Sequence, residues 1–445
     1  MCLAFATAWP RPSDDPVRYL RFDEVQSTLQ QFAGSGLPGS ETDDATAWDA
    51  WIRDRDAEVR SRIARGTEDS ISNLILYGTS FTNLPRIEGP EAAVSSSAEL
   101  TPAARHRVHT LAQALASNSK VERVQFAREF LSHEGIAPSA LEKRLRENLL
   151  RFVAEQHDYQ EKLQQSQRDN DPSEVFLTRG TLFASRGLSI DTSLLPNFAL
   201  EETLRSMLAK QAIAPGSIRR IAIIGPGLDF TDKRDGYDFY PLQTLQPFAV
   251  LEAVARLGLG KAEETKLVTL DLNPAVNAHV STAAQKARRG QPYIIQLPRD
   301  AQADWNPASI AYWQHFGELL GQSRKPLPIP VTLSGVTMRA VALQPNYVAR
   351  LQPLDLNIVA QTLDLPPAER FDLIIATNIL VYYDRLQQAL AMAGIAHLMN
   401  PGGIFLANNV LPAQHDPALE YLGRKSIAYA NSGAYGDDVV VYRRR

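Results

Sequence analysis

The chain has 445 residues, of which 44% are hydrophobic and 22% are charged, and its formal net charge is −4. This length predicts two or three globular domains, and the slightly acidic balance argues against a broad basic surface for nucleic acid. The single cysteine, Cys2, excludes an internal disulfide and a cysteine-rich metal site, and no apolar run reaches the ~20 residues that cross a bilayer.

Two interpretations are open for the apolar opening MCLAFATAWP. It is either the stump of a trimmed signal peptide or an N-terminus that frays or packs against the protein. We prefer the second interpretation, because the segment lacks a basic n-region. Together with the single cysteine, this preference predicts a cytoplasmic location.

Helical patterns dominate the first 200 residues. Residues 1–100 are predicted as a mainly helical segment, in which a charged, helix-compatible run (Trp48 to Ala64) follows the loop GSGLPGSETDD and precedes a small, polar linker at 88–100. Residues 101–200 are predicted as a helical insert or subdomain, which begins at the capping pair Thr101–Pro102. One face of its last predicted helix is apolar and carries Leu141, Leu145, Leu149 and Val153.

The pattern changes in residues 201–445, where short apolar runs alternate with helical segments. The strand-like runs are RIAIIG, KLVTLDL, PYIIQL, YVARLQPLDL, FDLIIAT and GIFLANNVL. Such alternation is typical of an α/β fold with a parallel sheet. The final segment KSIAYANSGAYGDDVVVYRR predicts a hairpin instead, so that a mostly parallel sheet is finished by an antiparallel last strand at its edge.

A glycine turn, Gly225-Pro226-Gly227, follows the first of these runs. Glycine lets the backbone approach a ligand closely. The third glycine of a dinucleotide-binding turn is replaced by Phe230, which disfavours NAD, whereas a nucleoside without a pyrophosphate needs only the turn. Asp271 ends the next strand, where a carboxylate can accept both ribose hydroxyls. The alternative is that Asp271 caps the helix that follows.

Two further strand ends carry polar residues. Asp355 follows one strand and is either a partner for an adenine amino group or a loop carboxylate. In FDLIIATNILVYYD, Asn378 ends the strand and Tyr382 and Tyr383 come on the next turn. The tyrosines either shape a pocket or pack in the core. The strand ends themselves lie where open α/β folds bind ligands.

The segment FDLIIATNILVYYD resembles FDLIFCRNVLIYFD of the CheR-type methyltransferases, class I S-adenosylmethionine (SAM)-dependent enzymes that methylate glutamates of chemotaxis receptors. TLQPFAVLEAVARLG and LVTLDLNPAVNAHVSTAAQKARRGQPY resemble other segments of this family, in the same order. Upstream, YGTSFTNLPR (residues 77–86) resembles the segment that reaches SAM from outside the sheet domain. The likeness covers most of residues 219–410 and this patch.

The resemblance implies a Rossmann-like class I methyltransferase fold for residues 201–445, with SAM as the cofactor. Beside the glycine turn at Gly225 and Gly227, it implies contacts with SAM at Thr79, Gln246, Asp271, Asp355, Leu356 and Asn378. Some positions depart from the family. Thr377 and Asn83 replace arginines, with Arg86 near the second, and Gln246 replaces a glutamate and lacks its charge. Fold and SAM binding therefore transfer better than the substrate.

The leading hypothesis for function is a SAM-dependent methyltransferase that acts on a carboxylate or other acceptor of a protein or small molecule. A carboxylate is ionised at neutral pH and needs no general base, which fits the lack of a compelling base in the motifs. Tyr382 is predicted to shape the methyl-transfer pocket. The absence of a [DN]-P-P-[YF] motif, with the acidic balance, argues against a nucleic-acid substrate. The alternatives are a non-catalytic SAM-binding protein and a nucleotide-dependent oxidoreductase.

Two weaker patterns remain. His106 and His109 are spaced to share one helix face, but we expect a solvated face rather than a metal site, because no third ligand is apparent. The insertion after the glycine turn carries four acidic residues and is interpreted as a solvated loop, with a lid as the alternative. These residues are Asp229, Asp232, Asp235 and Asp238.

Overall fold

The computed structural model describes residues 16–30, 45–95, 98–168, 187–231, 237–408, 418–433 and 435–445. Its helices are α1 (Phe22–Leu29), α2 (Ala45–Tyr77), α3 (Pro102–Ala116), α4 (Glu122–His133), α5 (Leu141–Arg168), α6 (Leu195–Ala209), α7 (Gln246–Arg256), α8 (Pro274–Arg288), α9 (Pro307–His315), α10 (Pro345–Val348) and α11 (Arg385–Leu398). Its strands are β1 (Val17–Tyr19), β2 (Arg220–Ile224), β3 (Lys266–Asp271), β4 (Tyr293–Asp300), β5 (Gly321–Arg324), β6 (Val336–Leu343), β7 (Gln352–Asp355), β8 (Gln361–Leu363), β9 (Phe371–Ala376), β10 (Met399–Ala407), β11 (Leu419–Ala428) and β12 (Gly436–Arg444). The predicted loop GSGLPGSETDD, the opening MCLAFATAWP, Asp232 and Asp235 lie outside the described residues.

The central sheet has seven strands in the order β11–β12–β10–β9–β2–β3–β7. The strands β10, β9, β2, β3 and β7 are mutually parallel, and β12 is antiparallel to both of its neighbours. Numbered within this sheet alone, the order is 3-2-1-4-5-7-6, the layout of class I methyltransferases. The predicted fold class is therefore confirmed. One detail is wrong: the antiparallel last strand, β12, lies one place inside the sheet, because β11 pairs along its outer side and forms the edge.

The centres of the parallel strands β2 and β9 are apolar because helices cover both faces of the sheet. In β2, Ile221 and Ile223 belong to one hydrophobic core, which includes residues of α6, α7 and α8. Ala222 and Ile224 alternate with them and belong to a second core, which includes residues of α2 and α11. All four side chains are buried.

The run PYIIQL does not join the parallel sheet, so that part of the prediction is wrong. It forms β4, which pairs with β6 in a separate antiparallel sheet of order β4–β6–β5. Its face toward the core carries the buried Ile295 and Leu297, and its other face carries Ile294, which is 47% exposed, and the buried Gln296. A face that is only partly solvated, as here, is compatible with an antiparallel sheet. The run YVARLQPLDL also divides, into α10 and β7.

The N-terminal residues wrap the sheet domain. Strand β1 pairs with β8, and α1 packs on α11. The first half of α2 contributes Ile52 and Val59 to the core beneath the sheet, and its second half contributes Ile71 and Leu74 to a third core shared with α3, α4 and α5. The single helix α2 therefore contributes to the core beneath the sheet and to the core of the helical subdomain.

The helical subdomain formed by α3, α4 and α5 matches its predicted signals. Thr101 caps α3 by accepting a hydrogen bond from the amide of Ala104, and the apolar face predicted for α5 is buried. Within the predicted linker at 88–100, the described residues include a 3-10 turn at Pro90–Ala93 and a bridge between Val94 and Leu100, so the segment is built into the fold. In the described part of the chain, no helix combines the length and apolar character that crossing a bilayer requires.

Candidate functional site

A cavity of about 340 Å³ lies at the carboxyl ends of the parallel strands. Ligands of open α/β folds bind at this edge, and the volume lies within the range of small-molecule sites. The sequence-predicted site residues that line it are Gly225, Gly227, Asp271, Leu356, Asn378 and Tyr382. The sheet brings these six together from the ends of four strands.

The glycine turn after β2 has a conformation that other residues adopt only with strain. The φ angles of Gly225 and Gly227 are 66° and 63°, in the left-handed region. A Cβ on Gly225 would lie 2.1 Å from Cδ1 of Ile379, which also lines the cavity. A Cβ on Gly227 would lie 2.8 Å from the carbonyl oxygen of Ile190. Both glycines are therefore required by backbone angle and by space.

Substitution of Gly225 by alanine should weaken ligand binding at this cavity. The added methyl group has to push Ile379 into the cavity, so we expect at least a ~10-fold lower affinity for an adenosyl ligand and a loss of about 2 kcal/mol in the free energy of unfolding. Gly402→Ala is the matched control, because Gly402 has a φ of 79° but nothing within 4 Å of its added Cβ. Titration calorimetry and chemical denaturation measure both effects. Equal affinities of the two variants for the ligand would contradict the prediction that a side chain at Gly225 obstructs the cavity.

Asp271 ends β3 and is fixed by the backbone around it. Its carboxylate accepts a hydrogen bond from the amide of Asn273 (2.8 Å). Burial nevertheless raises the pKa of Asp271 to about 7. The alternative interpretation as a helix cap is wrong, since Asn273 is the residue that caps α8, by accepting the amide of Ala275.

Asn378 follows β9 in a left-handed conformation, with a φ of 57°. Its amide donates to Oδ1 of Asn408 (2.6 Å), whose Nδ2 donates back to Oδ1 of Asn378. Asparagine tolerates this backbone region better than most residues. The pair joins the ends of two neighbouring strands, so it holds the position of Asn378 at the cavity rim.

Both tyrosines line the cavity, in different ways. Tyr383 is buried and also belongs to the core beneath the sheet, so the core-packing interpretation is confirmed for it. Burial raises the pKa of Tyr383 above its usual value, and the nearby Asp271 carboxylate adds to this shift. Tyr382 is half-buried, and its carbonyl oxygen accepts a hydrogen bond from the guanidinium of Arg62 (2.8 Å). Burial lowers the pKa of Arg62.

Three predicted contact residues lie outside the cavity lining. Thr79 donates its amide (2.7 Å) and hydroxyl (2.6 Å) to Asp238. The buried Gln246 donates its amide to the hydroxyl of Thr377 (2.7 Å), directly behind the cavity wall. Asp355 forms an ion pair with Arg60 (2.8 Å). None of the three lines the cavity, although Asp355 pairs in register with Asp271 on the neighbouring strand. Their roles as cofactor contacts stay predictions.

Sequence reasoning missed the segment Leu188–Ser193, which forms one wall of the cavity. It runs beside the residues after the glycine turn: Leu228 donates its amide to Ile190 (2.7 Å) and accepts the amide of Thr192 (3.0 Å). Helix α2 approaches the segment at Gly66, where a Cβ would lie 1.8 Å from the carbonyl oxygen of Leu188. The only available signal was the run of small polar residues SIDTS before α6.

The described part of the acidic insertion is not a solvated loop, which corrects that interpretation. Asp229 and Asp238 are 5% and 0% exposed. Asp229 accepts hydrogen bonds from the hydroxyl of Tyr240 (3.0 Å) and the side-chain amide of Gln243 (2.8 Å). The buried guanidinium of Arg123, in α4, donates to the carbonyl oxygens of Asp229, Phe230 and Tyr240. The helical subdomain therefore fixes this loop beside the cavity.

His109 faces other side chains on the surface of α3. Its Nδ1 lies 2.9 Å from a carboxylate oxygen of Glu142, and its Nε2 lies 2.9 Å from the side-chain amide of Gln113. The described residues contain no cluster of three or more histidine, cysteine or acidic side chains suited to a metal ion.

No protein-family model matches the sequence, and no curated protein matches it. Among solved structures, the N-methyltransferase NodS from Bradyrhizobium japonicum WM9 in complex with S-adenosyl-L-homocysteine matches with a TM-score of 0.28 and 12% identity, over 60% of this chain and 98% of that chain. Magnesium protoporphyrin IX methyltransferase ChlM from Synechocystis PCC 6803 with bound SAM matches with a TM-score of 0.28 and 9% identity, over 74% of this chain and 100% of that chain. The glycopeptide N-methyltransferase MtfA complexed with SAM matches with a TM-score of 0.27 and 10% identity, over 55% and 87%. At these values the likeness carries no argument about function, and the case for a site rests on the chain's own strand order and cavity.

Proposed function

We propose that the protein is a SAM-dependent methyltransferase whose cofactor occupies the cavity at the sheet edge. The observation that carries the proposal is the joint placement of Asp271 and the glycine turn in one cavity, within a 3-2-1-4-5-7-6 sheet. The turn lies at the end of β2, where the strand order reverses, and this is where doubly wound folds bind nucleosides. Asp271 accepts the ribose hydroxyls there, and Leu356 and Ile358 form an apolar wall for the adenine.

A dinucleotide fits this site less well. Dinucleotide-binding folds place the pyrophosphate at a helix N-terminus that directly follows the glycine turn. Here Leu228 exchanges backbone hydrogen bonds with Ile190 and Thr192, and the next helix of the described residues, α7, begins at Gln246. An adenosyl ligand without phosphate needs no such helix.

SAM supplies a methyl group on a sulfonium, which leaves by in-line displacement without further activation. The protein's part is to align the acceptor with the methyl group and to exclude water. The titratable residues among the described lining are Asp191, Asp271, Tyr382 and Tyr383. This set includes no histidine or lysine, so it favours an acceptor that is nucleophilic without deprotonation, such as a carboxylate.

We further propose the CheR-like features of the hypothesis: a carboxylate acceptor on a protein or small molecule, and Tyr382 as the residue that shapes the methyl-transfer pocket. Tyr382 is half-buried and lines the cavity, and its backbone is held by Arg62. Support for a chemotaxis receptor as the acceptor is weak, because Thr377 and Asn83 replace two arginines of that family.

Titration calorimetry with SAM, S-adenosylhomocysteine and NAD tests the proposal. We expect both adenosyl ligands to bind with micromolar dissociation constants and NAD to bind at least ~100-fold more weakly, because no helix begins in the described residues directly after the glycine turn, where a pyrophosphate would need one. Absence of binding by both adenosyl ligands at high micromolar concentration would refute the proposal. A protein that binds both ligands but methylates none of a panel of carboxylate acceptors would favour the non-catalytic alternative.

A further inference from the structure

We infer that Arg62 is a positioning residue, which joins two walls of the cavity and holds the turn that carries Tyr382 in the place that methyl transfer requires. This inference rests on the proposed function and deepens it. Arg62 lies near the middle of α2, outside the cavity lining and outside the segments that resemble the CheR-type family.

The backbone of Arg62 contacts the first wall, the segment Leu188–Ser193. Its carbonyl oxygen accepts a hydrogen bond from the amide of Leu188 (3.3 Å). One helical turn later, a Cβ on Gly66 would lie 1.8 Å from the carbonyl oxygen of Leu188, and a Cβ on Gly187 would lie 2.2 Å from the amide nitrogen of Gly66. Helix α2 and this segment therefore meet backbone to backbone, which leaves little freedom in the position of Arg62.

The side chain of Arg62 contacts the second wall, which is formed by residues after β9. Its guanidinium donates to the carbonyl oxygen of Tyr382 (2.8 Å), at the end of a three-residue 3-10 turn. Within this turn the amide of Tyr382 donates to Ile379 (3.1 Å), and the amide of Tyr383 donates to Leu380 (3.3 Å). A single 3-10 turn has poor hydrogen-bond geometry, so a donor from another element stabilises it substantially.

The charge of Arg62 strengthens this contact. Burial lowers the pKa of Arg62, whereas the nearby carboxylates of Glu58 and Asp384 favour its charged form. A guanidinium stays charged in proteins, and a hydrogen bond from a charged donor is roughly twice as strong as one between neutral groups. The bond to Tyr382 is therefore stronger than the backbone bonds of the turn itself.

The turn needs an external contact because the sheet does not locate it. Tyr382 lies several residues beyond Ala376, where β9 ends, whereas Asn378 lies close to the strand end and is held by Asn408. In-line transfer requires the acceptor, the methyl group and the sulfur to be aligned, so a pocket that guides the acceptor must have a fixed shape. Arg62 provides this fixed position from α2.

Titration calorimetry with S-adenosylhomocysteine tests the inference. In Arg62→Met, we expect the affinity to fall by about 10-fold, because the unliganded turn then occupies its binding position only about a tenth of the time. Arg62→Lys keeps a charged donor of similar reach, so its affinity should lie within about 3-fold of that of the unsubstituted protein.

The matched control is Arg339→Met. Arg339 is also half-buried, its guanidinium donates to the carbonyl oxygen of Trp313, and burial lowers its pKa, but it lies outside the cavity lining. We expect a similar loss of stability in Arg339→Met and Arg62→Met, measured by chemical denaturation. The affinity of Arg339→Met for S-adenosylhomocysteine should change less than about 2-fold.

Hydrogen exchange of the unliganded protein separates positioning from a general structural role. In Arg62→Met, the amides of Tyr382 and Tyr383 should exchange at least about 10-fold faster, because the turn opens more often. Exchange in the segment Leu188–Ser193 should be unchanged, since Leu188 donates to the backbone oxygen of residue 62, which the substitution keeps.

Faster exchange of both walls in Arg62→Met overturns the inference, because Arg62 would then support the fold in general. An affinity of Arg62→Met within about 2-fold of the unsubstituted value, or a loss of affinity that Arg62→Lys does not reduce, also overturns it. If the unsubstituted protein does not bind S-adenosylhomocysteine, the proposed function itself fails. The exchange measurement needs no ligand, so it still shows in that case whether Arg62 holds the turn.

Discussion

Asp271→Asn should lower the affinity for S-adenosylhomocysteine by at least about 100-fold, because the amide cannot accept both ribose hydroxyls and loses the charge that strengthens these bonds. The side chain is held by the amide of Asn273, which donates to one of its carboxylate oxygens (2.8 Å). Calorimetry measures the change. The control for the lost charge is Asp364→Asn, at an exposed carboxylate near Arg18 and outside the cavity lining. A fall smaller than about 5-fold would mean that Asp271 does not hold the ribose.

The same carboxyl should make binding depend on pH. Burial raises the pKa of Asp271 from 3.8 to about 7. The ribose hydroxyls donate to the ionised form, so the affinity for S-adenosylhomocysteine should rise by up to about tenfold per pH unit below pH 7 and level off above it.

Stability of the unliganded protein should change in the opposite direction. Between pH 4 and pH 7 the folded state binds a proton that the unfolded state has lost, so this carboxyl lowers the free energy of unfolding as the pH rises through that window. The expected loss is roughly 4 kcal/mol, about 1.4 kcal/mol for each pH unit of that window, and in Asp271→Asn it should disappear. Chemical denaturation between pH 4 and pH 8 measures it. Parallel curves for the two proteins would be inconsistent with the raised pKa.

Arg123→Met should lower the free energy of unfolding by about 4 kcal/mol, because it leaves three carbonyl oxygens of a buried loop without their donor. The guanidinium is 1% exposed and donates to Asp229 (2.7 Å), Phe230 and Tyr240. Thr231, which directly follows Phe230, lines the cavity. We therefore also expect a weaker affinity for adenosyl ligands.

The matched control for Arg123 lies in the same helix. Arg128 also donates to three carbonyl oxygens, those of Ala114, Leu115 and Ser117, but it is half-buried and its partners lie within the helical subdomain. Arg128→Met should cost about 1 kcal/mol and leave ligand affinity unchanged. Denaturation and calorimetry on both variants separate the two roles. Equal losses of stability in the two variants would show that the buried contacts of Arg123 with the loop stabilise the fold no more than the half-buried contacts of Arg128.

The sequence pattern predicts which strands join the central sheet where both faces of the strand are buried. Strands β2, β3 and β9 are continuous apolar runs, and such runs predict a covered parallel sheet. The run that forms β4 is as apolar, but its partner is β6, more than thirty residues later, and the choice of partner depends on tertiary packing rather than on local pattern. The hairpin of β11 and β12 was predictable, whereas the position of β12 inside the sheet was not.

The candidate site also contains residues that the sequence pattern can locate and residues that it cannot. Residues placed directly after a strand, such as Asp271 and Asn378, are located by the sheet, so their position at the cavity follows from their place in the sequence. Ile63 belongs to α2 itself, and the segment that carries Asp191 reaches the cavity through contacts with α2 and the glycine turn, which no local pattern encodes. The resemblance at residues 77–86 predicted an upstream contribution, and the structure places a different upstream segment at the cavity.

The long helix α2 limits how this chain can change in length. Its first half packs beneath the sheet and its second half packs in the helical subdomain. Between them, Ile63 lines the cavity and Gly66 lies against Leu188 of the cavity wall. One inserted residue turns the following part of a helix by about 100°. An insertion between Ile63 and Ile71 would rotate the buried face of the second half away from its core. Length variation among related chains should therefore be found in loops and be rare within this stretch of α2.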